Sequence, residues 1–284
     1  MTTTALDPAT PTGRRPRAAQ RPSTATAAVL SLTRVGLVAF VREPIAFVFG
    51  VLYPLFMLLL FNAVFPGEIS PGVDFGDYML PAMISTGILM SGMQVLAITV
   101  AAERESGELK RLSVLPVPSW AYVAGKCLYS IVLTVVNTVV LILVGSLALG
   151  ISLPRSPGSW ALMALALVLT VATCTAWGLA IGRLCPSSRA ASGIVTPMVI
   201  IFQFVSGLVL PLSQLPGWMV DIFSVLPVRW AAQLMRQAFL PADFATMEPA
   251  GTWETGKALI VVTAWLIGGV VAAMVIARRD TVDR

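Results

Sequence analysis

The sequence predicts an all-α polytopic membrane protein: an amphipathic connecting helix, six transmembrane helices, and a re-entrant external segment before the last helix. Three observations predict this fold class. The mean hydropathy is +0.85, and only 12% of the 284 residues are charged, which is too few for a soluble surface of ordinary composition. The apolar residues form blocks of about 20, the length that a helix needs to cross a hydrocarbon core of about 30 Å. None of the six blocks contains Asp or Glu.

The chain begins with a region of different composition. Residues 1–26 are rich in Thr, Pro, Ala and Arg and have no apolar period, so we expect a disordered, basic cytoplasmic tail. Residues 27–41 then place Leu30, Val35 and Val38 on one face of a helix and Ser31 and Arg34 on the other. This pattern predicts an amphipathic helix that lies along the membrane surface.

The apolar blocks predict one transmembrane domain over residues 27–279. We expect residues 280–284 to form a short cytoplasmic tail. Aromatic and turn residues mark the borders of the blocks: Phe65 and Pro66 end the first, Tyr122 opens the third and Trp160 opens the fourth. The predicted spans are residues 45–65, 79–102, 122–149, 160–182, 191–210 and 257–277.

Lys and Arg are distributed unequally between the connections. They are frequent in the N-terminal tail, after the second span, after the fourth span and at the C-terminus, and they are sparse in the alternate connections. The excess of positive charge predicts which side is cytoplasmic. We therefore expect a multi-pass protein of the cell (plasma) membrane with both termini in the cytoplasm.

The connection after the second span carries six charged residues within residues 103–111. Its first ten residues are compatible with a short charged helix that has a small leucine edge, and prolines then end it. Such a helix is suited to bind a cytoplasmic partner, because charges fix the register and leucines provide contact. A solvated loop helix without a partner is the alternative. The candidate contact residues are Glu103, Arg104, Glu105, Gly107, Glu108, Leu109, Lys110, Arg111 and Leu112.

The connection between the fifth and sixth predicted spans is too long for a turn and too apolar for a free loop. It predicts a helix or hairpin that dips into the outer leaflet, followed by a second short helix over residues 228–240. An external cap on a transport pathway and a passive interfacial anchor are both compatible with it. The candidate residues are Pro211, Leu215, Pro216, Trp218, Pro227 and Arg236.

Polar residues inside the predicted spans are few. They are candidates for lining a substrate pathway, although hydrogen bonds between helices are the more frequent use of such residues. The candidates are Gln94, Asn137, Thr196, Gln203 and Ser206.

Several kinds of chemistry have no support in the sequence. The chain has no histidine, and its three cysteines are far apart, so we predict no metal site and no catalytic residues. A proton-coupled carrier needs titratable groups along its path, and the spans contain no Asp, Glu or His. The phosphate-binding pattern G-x-x-x-x-G-K-[ST] is also absent. Any ATP must therefore be hydrolysed by another chain.

Two segments resemble the type-2 ABC transporter permeases. The stretch after the second span resembles the family pattern E-R-E-x-G-x-L-x-x-L-x-x-x-P at Glu103, Arg104, Glu105, Gly107, Leu109, Leu112 and Pro116. A second match, after the fifth span, comprises Phe204, Ser206, Gly207, Pro211, Leu215, Pro216, Pro227 and Arg236. The resemblance covers about residues 41–279, and the chain is most similar in length and loop size to daunorubicin-type drug exporter permeases.

The resemblance implies a permease subunit that exports a hydrophobic or amphipathic compound by alternating access. It also implies a second permease, either a copy or a paralogue, and a cytoplasmic ABC ATPase that contacts residues 103–112. That ATPase would bind ATP and Mg, and this chain would bind no cofactor directly. The other partners of this chain would be membrane lipid and the substrate, and we expect no nucleic acid. Some members of the family export lipids or polysaccharide precursors, so export of such a compound is an alternative function for this chain. An ATP-independent secondary transporter, an intramembrane enzyme and a membrane scaffold are the remaining alternatives.

Overall fold

The computed structural model of the chain describes residues 25–108, 119–209 and 211–282. Nearly all of these residues are helical, and one short antiparallel hairpin joins β1 (Glu68–Ser70) to β2 (Val73–Asp74). The predicted all-α class is therefore confirmed. The helices are α1 (Ala25–Arg42), α2 (Pro44–Phe47, Val48–Leu52 and Tyr53–Val64 end to end), α3 (Phe75–Leu89, Met90–Val95 and Leu96–Glu105 end to end), α4 (Ser119–Ala148), α5 (Pro157–Leu184), α6 (Ser188–Val205), α7 (Gly217–Phe223), α8 (Pro227–Phe239) and α9 (Thr255–Val282).

Six of the described helices are long and apolar enough to cross a membrane, namely α1, α3, α4, α5, α6 and α9. Helices α3, α5 and α9 contain the second, fourth and sixth predicted spans, α4 contains the third except for residue 149, and α6 contains the fifth as far as Val205. Helix α2 occupies the first predicted span, although its apolar stretch, Gly50–Val64, is shorter. Helix α1 satisfies the same criteria of length and hydropathy, so its location on the membrane surface stays a prediction.

Three predicted boundaries differ from the structure. Helix α6 ends at Val205 and not at residue 210, because Gly207 adopts a φ of +75°, which ends the helix. Helix α1 begins at Ala25, two residues inside the predicted tail, and α9 continues to Val282, because residues 278–282 contain neither Gly nor Pro to stop it.

Short polar signals fix the starts of the helices. Ser156 precedes α5 and its side chain accepts a hydrogen bond from the Ser159 N–H, while Pro157 fills the first helical position. Ser187 caps α6 in the same way, by accepting from the Ala190 N–H. Asp74 and Asp77 form a reciprocal capping box at the start of α3.

Helix α3 is the centre of the bundle. In its most apolar 18-residue window 78% of the residues are buried, against 11% in α9 and 17% in α1. It packs against α2, α4, α5, α6 and α8, whereas α9 packs against α5 and α8, and α1 packs against α4. The outer helices leave large apolar side chains exposed, such as Leu147 at 82% and Ile260 at 71%. Such a surface is suited to lipid and not to water.

Candidate functional site

The C-terminal end of α3 is bonded to the three helices that follow it. The Glu103 carboxylate accepts hydrogen bonds from the Tyr122 hydroxyl at 2.7 Å and from the ammonium of Lys126, both on α4. Arg104 donates to the backbone oxygen of Arg183, near the end of α5. We call this end of the bundle, with Glu103, Arg104 and Glu105, the charged end.

Glu105 connects the charged end to α6. Its Oε2 accepts from the backbone N–H of Ser188 at 3.0 Å and from the Ser188 hydroxyl at 3.2 Å. A carboxylate at this position stabilises the first turn of α6, because it pairs with an N–H that has no partner within the helix. A force applied at the end of α3 is therefore transmitted directly to α4, α5 and α6.

The predicted partner-binding segment is described only in part. Helix α3 ends at Glu105, so the predicted helix over residues 103–112 is interrupted, because Gly107 adopts a φ of +74°. Glu105 and Glu108 are exposed and Gly107 is half-buried. Leu109, Lys110, Arg111 and Leu112 lie outside the described residues. The role of this segment in binding a partner stays a prediction.

A cleft with a volume of about 480 Å³ lies between α2, α3 and α6. Glu43 and Tyr53 line it on the side of α2, and each of the other two helices contributes several residues. Helices α2 and α3 both contain a π-helical segment here, Val48–Leu52 and Met90–Val95. Such segments widen the helix and are frequent at functional sites. The main residues from α3 and α6 are Met90, Gln94, Thr99, Ser192, Thr196 and Gln203.

Burial of the polar side chains in the lining increases with distance from the charged end. Glu43 is exposed, Thr99 and Ser192 are half-buried, and Gln203 is buried. A hydrogen bond of 3.3 Å from the Tyr53 hydroxyl to Gln203 Oε1 closes the inner part of the cleft. The cleft is therefore open at the charged end, and it is also open beside Ile200, which is 50% exposed.

Three of the five residues predicted to line a pathway meet in this cleft. Gln94 and Thr196 contact each other there, with 3.0 Å between Gln94 Nε2 and Thr196 Oγ1, and Gln203 lies further in. Asn137 is elsewhere and donates from Nδ2 to the backbone oxygen of Gly50 at 3.3 Å, which connects α4 to α2. Ser206 bonds its own helix at the Phe202 carbonyl.

Sequence reasoning missed four polar lining residues: Glu43, Tyr53, Thr99 and Ser192. Two of them carried a signal. Glu43 is an acidic residue immediately before the first apolar block, and Tyr53 is a polar group inside it. Thr99 and Ser192 resemble many other small polar residues in the chain, so only the packing of α3 against α6 distinguishes them.

The other end of the bundle is closed by residues 211–254, which we call the capping segment. Its predicted second helix is confirmed as α8, whose residues are almost all buried, while α7 exposes Trp218 at 64%. Pro211, Pro216 and Pro227 each mark the start of a helical turn. Leu215 is half-buried between the first two of these prolines.

An ion pair inside the capping segment connects it to α3 and α6. Arg236 Nε donates to Glu248 Oε1 at 2.7 Å, and Arg236 Nη1 donates to the Gly207 carbonyl at 3.2 Å. The Tyr78 hydroxyl, at the start of α3, donates to the same carbonyl. Burial by itself lowers the pKa of Arg236, but the Glu248 carboxylate and Tyr78 together outweigh this effect, so the pKa is raised. Arg236 therefore stays charged and holds three elements together.

The model of the ABC-2 type transporter family matches residues 27–240, which include both ends of the bundle and the cleft. The chain belongs to this family. The resemblance seen at Glu103–Leu112 and after α6 is thereby confirmed.

Curated relatives support this membership. The ABC-2 chain is 26% identical over 195 residues to the Probable multidrug ABC transporter permease YbhR of Escherichia coli, which covers 69% of this chain and 51% of that protein. It is 28% identical over 215 residues to the Probable doxorubicin resistance ABC transporter permease protein DrrC of Mycobacterium tuberculosis, covering 70% and 72%. It is 26% identical over 252 residues to the Daunorubicin resistance ABC transporter permease protein DrrB1 of Streptomyces coeruleorubidus, covering 86% and 84%. The alignment thus spans about half the length of the E. coli relative.

Proposed function

We propose that this ABC-2 chain is the membrane-spanning permease subunit of an ATP-driven exporter of hydrophobic or amphipathic, drug-like compounds. One observation carries the proposal: a cleft of about 480 Å³ opens at the charged end of the bundle. This volume is in the range of sites for drug-sized ligands, and its mixture of Val, Ile and Met with a few Gln and Thr side chains suits an amphipathic molecule. The names of the relatives point to the same class of compound.

The direction of transport follows from the orientation of the chain. The charged end carries Arg104, Lys126, Arg183 and Arg189. By the positive-inside rule this end, together with both termini, faces the cytoplasm, and the membrane is the plasma membrane of the cell. A cleft open at that end takes up its substrate from the cytoplasm or the inner leaflet. Export by alternating access requires the substrate to bind less tightly when the cleft opens outward.

The energy comes from a cytoplasmic ABC ATPase that binds ATP and Mg. We propose that it contacts residues 103–112, so that this chain binds no cofactor. The bonds of Glu103, Arg104 and Glu105 to α4, α5 and α6 support this role, because they make the end of α3 a rigid attachment for a moving partner.

A second permease, either a copy or a paralogue, would complete the cleft. The helices on either side of it expose apolar side chains: Leu52 and Phe56 on α2, and Ile200, Ile201 and Phe204 on α6. Two such faces packed together would enclose the cleft and remove it from lipid.

The proposal is tested in membrane vesicles that contain the permease and its proposed ABC ATPase, which is sought first among the products of the neighbouring genes. We expect ATP-dependent transport of daunorubicin, and we expect the double variant Glu108→Lys, Arg111→Glu to lose both transport and co-purification of the ATPase. Glu108 is a better target than Glu105, which also caps α6. Asp221→Lys, on the exposed α7, is the matched control and keeps both properties.

Two results would contradict the proposal. Drug uptake that persists without nucleotide indicates a secondary transporter. Full ATPase binding and transport by the Glu108, Arg111 double variant excludes residues 103–112 as the coupling contact.

A further inference from the structure

The cleft has a net negative charge that comes from one residue. Glu43 is the only charged residue among the described residues that line it, and the other polar residues of the lining are neutral. Within the described part of the chain its carboxylate forms no hydrogen bond or ion pair. Arg42 and Arg189 are close in sequence to lining residues, but neither lines the cleft.

A second polar group in the cleft also needs a positive or proton-donating partner. Gln94 donates from Nε2 to Thr196, and its Oε1 is buried without a partner among the described residues. A buried acceptor without a donor is destabilising, so Gln94 adds no positive charge or spare donor to the lining at this depth. An anionic ligand would be repelled by Glu43.

We infer that the cleft selects amphipathic compounds that carry a single cationic amine. The amine pairs with Glu43 at the mouth, and the apolar body lies further in, beside Val95, Ile98 and Val199. Glu43 is exposed at the mouth, so water screens its charge and the carboxylate acts mainly on a ligand amine that reaches it directly. The inference rests on the proposed function and adds the charge of the substrate to it.

The dimensions of the cleft agree with such a ligand. Glu43 directly precedes the first residue of α2, Pro44, and Tyr53 lies nine residues further along that helix, which is about 14 Å at about 1.5 Å per residue. A fused aromatic ring system with a terminal amine fits this depth and places its charge at the mouth.

The test is binding to the full-length protein in nanodiscs of zwitterionic phosphatidylcholine, which do not attract cations by themselves. The probes are daunorubicin, whose amino sugar carries one protonated amine, and N-acetyldaunorubicin, whose corresponding nitrogen is a neutral amide. Kd is measured from the change in drug fluorescence. We expect Glu43→Gln to raise Kd for daunorubicin about tenfold and to change Kd for the acetylated drug less than twofold. Glu43→Asp keeps the preference for the cation.

The control is Asp221→Asn, an exposed carboxylate of α7 outside the cleft, which leaves both Kd values unchanged. Equal weakening of both drugs by Glu43→Gln would overturn the inference, because it would indicate a structural role for Glu43. Equal binding of both drugs by the wild type would also overturn it, and it would leave ATP-driven export intact. If the protein binds daunorubicin but exports neither drug when the ATPase and ATP are present, the proposed function is overturned and the inference about the cleft is not.

Discussion

Arg236 carries its charge in the interior of the protein. Its side chain is 1% exposed, and Glu248, at 4%, is the group that neutralises it. A buried ion pair adds little stability relative to a well-packed apolar pair, but removal of one partner leaves an uncompensated charge. The pair therefore makes the capping segment sensitive to single substitutions.

We expect Glu248→Leu to destabilise the folded protein by about 3–5 kcal/mol. The double variant Arg236→Met, Glu248→Leu removes both charges, so we expect it to be less destabilised than the single variant. The measurement is the unfolding temperature in detergent. The ion pair of Lys257 and Glu254 is the control, because its side chains are 59% and 26% exposed and Lys257→Met costs less than about 1 kcal/mol. An unfolding temperature unchanged by Glu248→Leu would contradict this account of the pair.

Gly207 allows the chain to turn beside this ion pair. Its φ is +75°, and a Cβ would lie 2.8 Å from Leu212 Cγ and 3.2 Å from Arg236 Nη1. We expect Gly207→Ala to cost about 1–3 kcal/mol, because the backbone would be strained and both neighbours would have to move. Gly193→Ala is the control, since a Cβ there has no atom within 4 Å and alanine favours the helix. The same thermal measurement distinguishes them, and equal stability of the two variants would refute the prediction.

At the scale of elements, the glycines that come closest to the backbone of another helix join α5 to α3. A Cβ at Gly178 would lie 2.6 Å from the Gly92 carbonyl oxygen, and one at Gly182 would lie 2.6 Å from the Ala97 carbonyl oxygen. The two glycines are spaced G-x-x-x-G, which lets two membrane helices approach closely. Since α3 lies at the centre of the bundle, this contact positions the cleft and the charged end relative to α5.

We expect Gly182→Val to separate α3 from α5 and to lower the yield of monodisperse protein, with a loss of at least about 1–3 kcal/mol in stability. Gly268→Val on α9 is the matched control, because the nearest atom to its Cβ is 3.9 Å away. Size-exclusion chromatography and the unfolding temperature are the measurements. Normal behaviour of Gly182→Val would show that the contact is looser than the structure indicates.

At the scale of the whole molecule, α3 joins the two ends. Tyr78 at its start is bonded to the capping segment through the Gly207 carbonyl, and Glu103 and Glu105 at its other end are bonded to α4 and α6. The cleft lies beside the middle of the same helix. A movement imposed at the charged end can therefore change the cleft and the cap together.

We expect Ser192→Trp to lower drug transport more than tenfold, because the indole occupies the mouth of the cleft, and to leave binding of the ATPase unchanged. Leu147→Trp, at a position on α4 that is 82% exposed and outside the cleft, keeps transport within about twofold of the wild type. Vesicle transport and co-purification are the measurements. Unchanged transport by Ser192→Trp would exclude the cleft as the pathway.

Much of the fold could be predicted because the relevant signals are local. The predicted second and fourth spans lie within α3 and α5, and the third matches α4 to within one residue, since a helix in lipid must satisfy its own backbone and needs a minimum apolar length. The spacing Gly178-x-x-x-Gly182 was also visible, although no prediction used it. The predicted end of α6, at residue 210, was wrong. The helix ends earlier because Gly207 turns the chain where it packs against Leu212 and Arg236 of the following segment.

The sequence by itself determined the class of protein, the helices, the family and the charged segment after α3, because hydropathy, charge and motif spacing are properties of consecutive residues. Only the tertiary structure decided that Gln94, Thr196 and Gln203 meet in one cleft while Asn137 connects α4 to α2. The same holds for the place of Glu43 at the mouth and for the burial of Arg236 against Glu248. The physical reason is that a polar residue in a membrane helix has the same local signature whether it faces a cavity or another helix, and the direction it faces is set by the packing of residues far apart in the chain.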